Sequence, residues 1–140
     1  MISNVTKKDL LNKMSETAPT IVRLSISLVV LWFGINQVIN PEKFMGYLPS
    51  FLLMLDYAKN LVLFNGIFEI IFGTLLLIGL FVRPVALILA VHLLSITLNL
   101  GYNDIAVRDF GLTLITIAVF LGGADKWSLD YQREKKRIQQ

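Results

Sequence analysis

The sequence predicts an all-α integral membrane protein. The expected architecture is a four-helix bundle with an interfacial N-terminal helix and an outer amphipathic segment between membrane helices 1 and 2. Of its 140 residues, 55% are hydrophobic and 16% are charged, against roughly 45–50% and about 25% in ordinary globular chains. The mean hydropathy is +0.66, and the apolar residues form four long runs. A soluble domain of this size cannot bury so much apolar surface, so much of it should face lipid.

The four apolar runs have the lengths of membrane-spanning helices. They cover about residues 20–39, 61–82, 84–102 and 105–124. Each comes close to the roughly 20 residues that a helix needs to cross a hydrocarbon core about 30 Å thick. The fourth is the weakest candidate, because its uncharged part, residues 110–124, has only 15 residues. The first follows a polar segment and has no clear cleavage site after it, so a signal peptide is not expected.

The segments between the runs differ in length and character. Residues 81–84 predict a tight hairpin in which a proline opens the third membrane helix, and residues 101–104 predict another short turn. The longer segment, residues 40–60, is expected to lie on the outer surface, partly helical and bent at Pro49. Three of its aromatic residues are expected to cap the bundle, namely Phe44, Tyr47 and Phe51.

The N-terminal segment carries Leu10, Leu11 and Met14 among lysines. This amphipathic pattern predicts a second interfacial helix. The chain therefore divides into three parts: a cytoplasmic amphipathic N-terminal segment (residues 1–18), a four-helix membrane domain (residues 19–125) and a basic cytoplasmic tail (residues 126–140).

The positions of lysine and arginine predict the orientation in the membrane. With both termini in the cytoplasm, the inner side holds ten of these residues and the outer side holds three, Lys43, Lys59 and Arg108. Such an excess marks the cytoplasmic side. The basic cluster at residues 133–137 is interpreted as an orientation signal, with contact to a protein or to anionic lipid as the alternative. So short a cluster does not indicate nucleic acid as a partner.

Polar side chains inside the predicted helices are the candidate functional residues, because such groups are costly in hydrocarbon. With the 1.5 Å rise of an α-helix, Glu69 lies about 20 Å and His92 about 14 Å from the inner surface. Further polar residues from all four helices fall into one layer at roughly 23–27 Å, in the outer half of the bundle. This layer consists of Gln37, Asn65, Asn99, Arg108 and Asp109.

The spacing of these groups places them on shared helix faces. Asn65 and Glu69 are four residues apart, and His92 and Asn99 are seven residues apart. Each pair therefore lies on one face of its helix, and both faces are expected to point into the bundle. Glu69 should be neutral there, or partnered by His92, Arg108 or an asparagine.

Two roles are predicted for these polar groups. Glu69 and His92 are the candidate catalytic pair, which would exchange protons with a bound molecule. The polar layer above them is the candidate ligand-binding set, and the alternative is that its amides only tie helices together. Arg23 and Arg83 are interpreted mainly as topological anchors, with a catalytic or ligand role of Arg23 as the alternative. Three glycines are expected to permit close helix packing, namely Gly66, Gly73 and Gly79.

The composition excludes several kinds of chemistry. The chain has no cysteine, which excludes disulfides, thiolate catalysis and cysteine-ligated iron–sulfur clusters formed by this chain alone. Its single histidine makes a structural zinc site unfavourable, and no metal site is predicted. The sequence carries no nucleotide-binding fingerprint. Electrons for any redox reaction would therefore have to come from a bound cofactor or a partner.

Four passages carry a family resemblance. They are Arg23 with LWFG at residues 31–34, NPEKF at 40–44 with YLP at 47–49, FEIIFG at 68–73 with LLIG at 76–79, and RDFGL at 108–112 with GGADKWSLD at 122–130. In this order and spacing they resemble the DoxX family of small four-helix membrane proteins, over about residues 23–130. Gln37 stands where many relatives have a lysine.

The resemblance implies a multi-pass four-helix bundle in the cell inner membrane. Many members are tied to redox or quinone-linked systems, and one branch resembles the small membrane subunit of thiosulfate:quinone oxidoreductase. Because one fold can carry many functions, the resemblance indicates the architecture more closely than the chemistry.

The leading hypothesis is a redox-associated subunit or accessory protein. It would bind a small lipophilic molecule, such as a quinone, in a polar pocket in the outer half of the bundle. A protein partner or electron donor and a homo-oligomer are compatible with this hypothesis, which leaves open whether the chain is an enzyme. One alternative is a non-enzymatic membrane scaffold or chaperone. A carrier for a small solute or proton is less favoured, because four helices without an obvious repeat leave little room for alternating access.

Overall fold

The chain folds into α-helices joined by short connections. A computed structural model describes residues 2–140, with side chains from residue 6 onward, and no strand occurs in this part of the chain. The helices are α1 (Ile2–Ile39), α2 (Ser50–Leu53), α3 (Ala58–Ile78), α4 (Val82–Leu100), α5 (Asp104–Gly122) and α6 (Leu129–Ile138), and a 3₁₀ helix (Pro41–Tyr47) precedes α2.

Four of these helices, α1, α3, α4 and α5, are long and apolar enough to cross a membrane. A helix satisfies its backbone hydrogen bonds internally, which hydrocarbon requires of any segment that crosses it. The all-α membrane fold with four candidate spans is therefore confirmed. The fourth span, Asp104–Gly122, begins with charged residues at its first turn and is apolar from Phe110 onward.

The four long helices form two antiparallel pairs. α1 packs mainly along α3, and α4 packs mainly along α5, whereas the α1–α5 and α3–α4 seams are much sparser. The core between the pairs contains Ile26, Val30, Leu76, Leu89 and Val119. We call the end with the α3–α4 turn the hairpin end, and the end with residues 40–57 the loop end.

Glycine allows α1 and α3 to approach until their backbones touch. A Cβ built on Gly66 would lie 2.8 Å from the carbonyl oxygen of Gly34, and the reverse contact is equally short. A Cβ on Gly73 would lie 3.0 Å from Leu31. Gly66 and Gly73 therefore permit close packing, as expected. Gly79 has a different position: it ends α3 with φ +72° and lies against Ser128.

The N-terminal segment is helical, but it continues into α1 without a break instead of forming a separate helix. Residues 7–18 are mostly good helix formers, and Pro19 removes one backbone hydrogen bond without ending the helix. The first 17 residues of α1 extend it by about 25 Å. Three apolar side chains of this extension are exposed, namely Leu10, Leu11 and Met14.

The segment between α1 and α3 is partly helical and bends at Pro49, as expected. Phe44 and Tyr47 turn inward and stack with ring centroids 5.8 Å apart, and both are half-buried. The expectation that Phe51 also caps the bundle is wrong, because its side chain is 68% exposed. α2 begins after the Pro49 break and lasts a single turn, which leaves Phe51 on its outer side.

We predict that Gly66→Ala lowers the free energy of unfolding by about 1–3 kcal/mol, the usual cost of overpacking. The added methyl group would clash with the Gly34 carbonyl, and backbone cannot move aside cheaply. Gly111→Ala is the matched control, because a Cβ there meets nothing within 4 Å. Reversible unfolding in mixed micelles measures both variants. Equal stability of the two would contradict the close approach of α1 and α3.

Candidate functional site

A cavity of about 210 Å³ lies between the two helix pairs at the loop end. All four membrane helices and the segment between α1 and α3 contribute to its walls. Six of the seven candidate site residues line it, namely Gln37, Asn65, Glu69, Asn99, Arg108 and Asp109. The depth estimate from the sequence therefore brought together residues that the fold places around one space.

Glu69 is the most buried of these groups, with 3% of its surface exposed. Its Oε2 accepts a hydrogen bond of 2.9 Å from the Gln37 amide. Its Oε1 lies 3.1 Å from the Asn65 amide nitrogen, which also donates to the Gln37 oxygen at 2.7 Å. Both carboxyl oxygens are therefore held by amide donors from α1 and α3.

His92 reaches the same carboxyl group from α4. Its Nε2 lies 3.3 Å from Glu69 Oε1, and its ring packs on Phe68 with centroids 4.7 Å apart. At this distance His92 can donate to a carboxylate or accept from a carboxylic acid, so the contact can carry one exchangeable proton. The structure thus places Glu69 and His92 together, as expected, while their catalytic role stays a prediction.

Arg108 and Asp109 form a second polar group on the opposite wall of the cavity. The Arg108 guanidinium lies 2.8 Å from the Asp109 carboxylate and 5.3 Å from the centre of the Phe33 ring. Arg108 thus pairs with its own neighbour in α5, so the partners of Glu69 are Gln37, Asn65 and His92. This local pairing keeps the buried Asp109 carboxylate compensated.

Asn99 lines the cavity without joining the network around Glu69. Its amide group donates to the Ser95 carbonyl one turn earlier in α4, at 2.7 Å. Asn99 is exposed. Its shared face with His92 was predicted, but its bond within its own helix was not.

A second polar cluster closes the hairpin end. Arg23 is 2% exposed, and its Nε lies 2.5 Å from Asp125. Its Nη1 donates to the carbonyl oxygens of Leu76 and Leu77 at 2.7 and 2.5 Å. These oxygens lie at the C-terminus of α3, where carbonyls lack helical partners and favour positive charge. Thr20 also donates to Asp125, at 2.8 Å.

Arg23, interpreted from the sequence mainly as a topological anchor, therefore also has a structural role inside the bundle. Arg23 joins α1, the end of α3 and the segment after α5 through a buried ion pair. Asp125 was not identified from the sequence. The available signal was a lone arginine in one apolar run and a carboxylate just after another run, both at the same predicted end.

The contacts of Asp125 have opposing effects on its acidity. Burial raises the pKa of Asp125, but hydrogen bonds from Arg23, Thr20 and the Trp127 N–H, with the charge of Arg23, outweigh it. The pKa of Asp125 is consequently below its ordinary value. Its carboxylate is held ionised, as the ion pair requires.

The family model named DoxX matches residues 18–101, which is more than half of the chain. The chain belongs to the DoxX family. Comparison with curated proteins and with solved structures gave no match. The DoxX match runs from the end of the N-terminal segment through α4. It includes Arg23 and Glu69, whereas Arg108, Asp109 and Asp125 lie beyond it.

We predict that Asp125→Asn destabilises this DoxX protein at pH 7 by about 3–5 kcal/mol, the usual cost of leaving a buried charge without its partner. A lowered pKa in the folded state means that the ion pair stabilises fully above pH ~4 and loses this effect as the pH falls through the folded value. Thermal unfolding between pH 7 and pH 3 should therefore show a weaker acid dependence in the variant. Asp56→Asn, on an exposed connection, serves as the control and should behave like wild type.

Proposed function

We propose that this protein is a redox-associated subunit or accessory protein that binds the head of a small lipophilic molecule, such as a quinone, in the cavity at the loop end. The observation that carries the proposal is the buried Glu69–His92 pair beside a cavity of ring size. A cavity of about 150 Å³ is known to hold benzene, so one of about 210 Å³ accommodates a single substituted ring.

The lining supplies both kinds of contact that such a head requires. Phe33, Phe44 and Tyr47 offer aromatic surface for stacking against a ring. Arg108 and the amide of Asn99 offer donors for a carbonyl or hydroxyl group. Pockets for small ligands commonly combine an apolar lining with a few convergent polar groups in this way.

Glu69 and His92 supply the acid–base part of the proposed chemistry. A quinone, when bound, brings the redox chemistry: it takes up two electrons and two protons on reduction to the quinol. The Glu69–His92 contact holds a proton at the edge of the cavity, where it can be given up or taken back. Gln37 and Asn65 fix the carboxyl group in place for that transfer. Electrons would come from a partner protein or a bound cofactor.

The proposed location is the cell inner membrane, with both termini in the cytoplasm. The hairpin end then faces inward, because the lysine- and arginine-rich N-terminal segment and tail belong to that end. The loop end carries Lys43, Lys59 and Arg108 and faces outward. The cavity then lies in the outer half of the bilayer.

We predict that Gln140→Cys is protected from a membrane-impermeant thiol reagent in intact cells, whereas Met54→Cys reacts. Met54 is 86% exposed at the loop end, and the chain has no native cysteine to interfere. Lysis in the presence of the reagent should make Gln140→Cys reactive as well. Labelling of Gln140→Cys in intact cells would reverse or refute the proposed orientation.

A scaffold is the second candidate function, and the exposed apolar face on the first part of α1 favours it. Leu10 and Met14 are 59% and 61% exposed on a helix that extends past the hairpin end. Such a face is suited to a partner protein. In a scaffold the network around Glu69 would serve only to tie α1, α3 and α4 together.

Two substitutions at Glu69 separate these functions. Glu69→Gln keeps hydrogen-bonding capacity and should fold and bind a benzoquinone with a ten-carbon tail. Without the carboxyl proton it should impair proton-coupled reaction of the bound quinone, measured as the rate at which an added reductant converts it to the quinol. Glu69→Leu leaves buried amide donors without an acceptor, and each such group costs about 1–3 kcal/mol.

The control is Glu42→Gln, since Glu42 forms only an exposed ion pair with Lys59 and should affect neither stability nor binding. The measurements are binding to protein in lipid nanodiscs and mass spectrometry of lipophilic molecules that co-purify. If the wild type binds no quinone at any pH and yields none on extraction, the scaffold is favoured.

A further inference from the structure

A second, shallower space adjoins the cavity on the lipid side of the α1–α5 seam. This groove is lined by Leu28, Val29, Trp32, Phe33 and Arg108. Val29, Phe33 and Arg108 also line the cavity. The groove and the cavity therefore share one wall, and Arg108 is the single polar residue of the groove lining.

Side-chain contacts of Phe33 form part of the shared wall. Arg108 lies over the Phe33 ring at 5.3 Å, and Trp32 meets Phe33 edge to face at 5.0 Å. Over their whole lengths, α1 and α5 pack far less closely than α1 and α3 do. Phe33 and Arg108 are the groups whose motion would connect the two spaces, since side-chain rotation is faster than movement of helices.

The groove lies beside the deeper part of the cavity, near the middle of the bilayer, because both spaces are lined by Val29 and Phe33. By the 1.5 Å helical rise, Leu28 lies about 12 Å and Phe33 about 20 Å beyond Thr20 at the hairpin end, whereas Gln37 lies about 25 Å beyond it. An amphiphile in the outer leaflet has this same orientation, with its head near the surface and its tail toward the midplane. The cavity has the size of a ring, so a hydrocarbon tail attached to that ring must lie elsewhere.

We propose that this groove holds the hydrocarbon tail of the molecule whose head occupies the cavity, and that the α1–α5 seam is the route by which the molecule enters from the outer leaflet. The inference rests on the proposed function. It adds the ligand class, a ring-sized polar head on one flexible apolar tail, and it assigns Leu28 and Trp32 to tail binding. Neither residue lines the cavity itself.

The test is photocrosslinking in nanodiscs with a benzoquinone whose ten-carbon tail ends in a diazirine. A fatty alcohol of the same chain length with the same diazirine reports on general lipid contact. We expect the quinone probe to label peptides containing Leu28 and Trp32 at least fivefold more than the alcohol does, and the excess to disappear when unlabelled quinone competes. Excess labelling at the α3–α4 seam, around Phe64 and Leu98, would overturn the proposed route.

A matched pair of variants supplies the second measurement. Leu28→Trp fills the groove without touching the cavity and should remove most of the excess labelling at residues 28–32. Ile71→Trp adds the same ring at a similarly exposed position of α3, outside both spaces, and should leave the labelling unchanged. Equal labelling of both variants and the wild type would refute tail binding in the groove.

Failure of the inference differs from failure of the proposed function. If a tailless benzoquinone still quenches Trp32 fluorescence in a Trp127→Phe background, the head binds in the cavity, and an absence of excess labelling in the groove then counts against the tail site alone. If neither the tailless nor the tailed probe binds, the proposed function fails and the tail site fails with it.

Discussion

The arrangement of the bundle depends on the close approach of α1 and α3 at Gly34 and Gly66. Only glycine at both positions lets the two backbones come within van der Waals distance. That approach places Gln37 directly beside Glu69, at 2.9 Å. A carboxyl group at this depth needs partners from neighbouring helices, and the glycines are what bring the first of them within reach.

The two ends of the bundle use polar groups differently. At the hairpin end, Arg23 and Asp125 form a buried ion pair. The carbonyl oxygens at the end of α3 accept further hydrogen bonds from the Arg23 guanidinium. The segment after α5, the end of α3 and α1 at residues 20–23 are thereby fixed to one another. At the loop end a cavity lies between the two helix pairs. A bundle closed at one end can keep such a space open at the other without losing its packing.

The architecture could be predicted from the sequence because a segment that crosses hydrocarbon must be helical, apolar and of a certain length. Length and apolarity locate the membrane helices, and the helical rise places polar residues at a common depth. This is why Gln37, Asn65 and Glu69 were correctly grouped before any contact was known. These constraints do not apply outside the hydrocarbon. The sequence therefore did not predict that the N-terminal segment and the first membrane helix form one continuous helix.

The sequence also could not predict which side chains pair between distant segments. Arg23 and Asp125 are 102 residues apart, and depth alone does not say which of two helices in a bundle are neighbours. For the same reason Arg108 was a possible partner of Glu69, until the fold placed it on the opposite wall beside Asp109. Recognition of a family narrows such choices for the fold, but the chemistry of a site depends on these individual contacts.

The network around Glu69 is complete without any ligand, and this bears on how a head group would meet it. Both carboxyl oxygens have donors, and no buried side-chain polar atom among the described residues lacks a hydrogen-bond partner. A molecule in the cavity is therefore not needed to give Glu69 a hydrogen-bond partner. Arg108 does have spare capacity, since its guanidinium carries five N–H donors and Asp109 is its one acceptor in the described contacts.

On the proposed function, Arg108 would thus orient the head, while Glu69 and His92 would exchange a proton at its edge. A hydrogen-bond network that only holds helices together needs neither separate groups for orientation and proton exchange nor a cavity beside it. The open space next to this network is therefore the observation that favours the proposed binding site over a packing role alone.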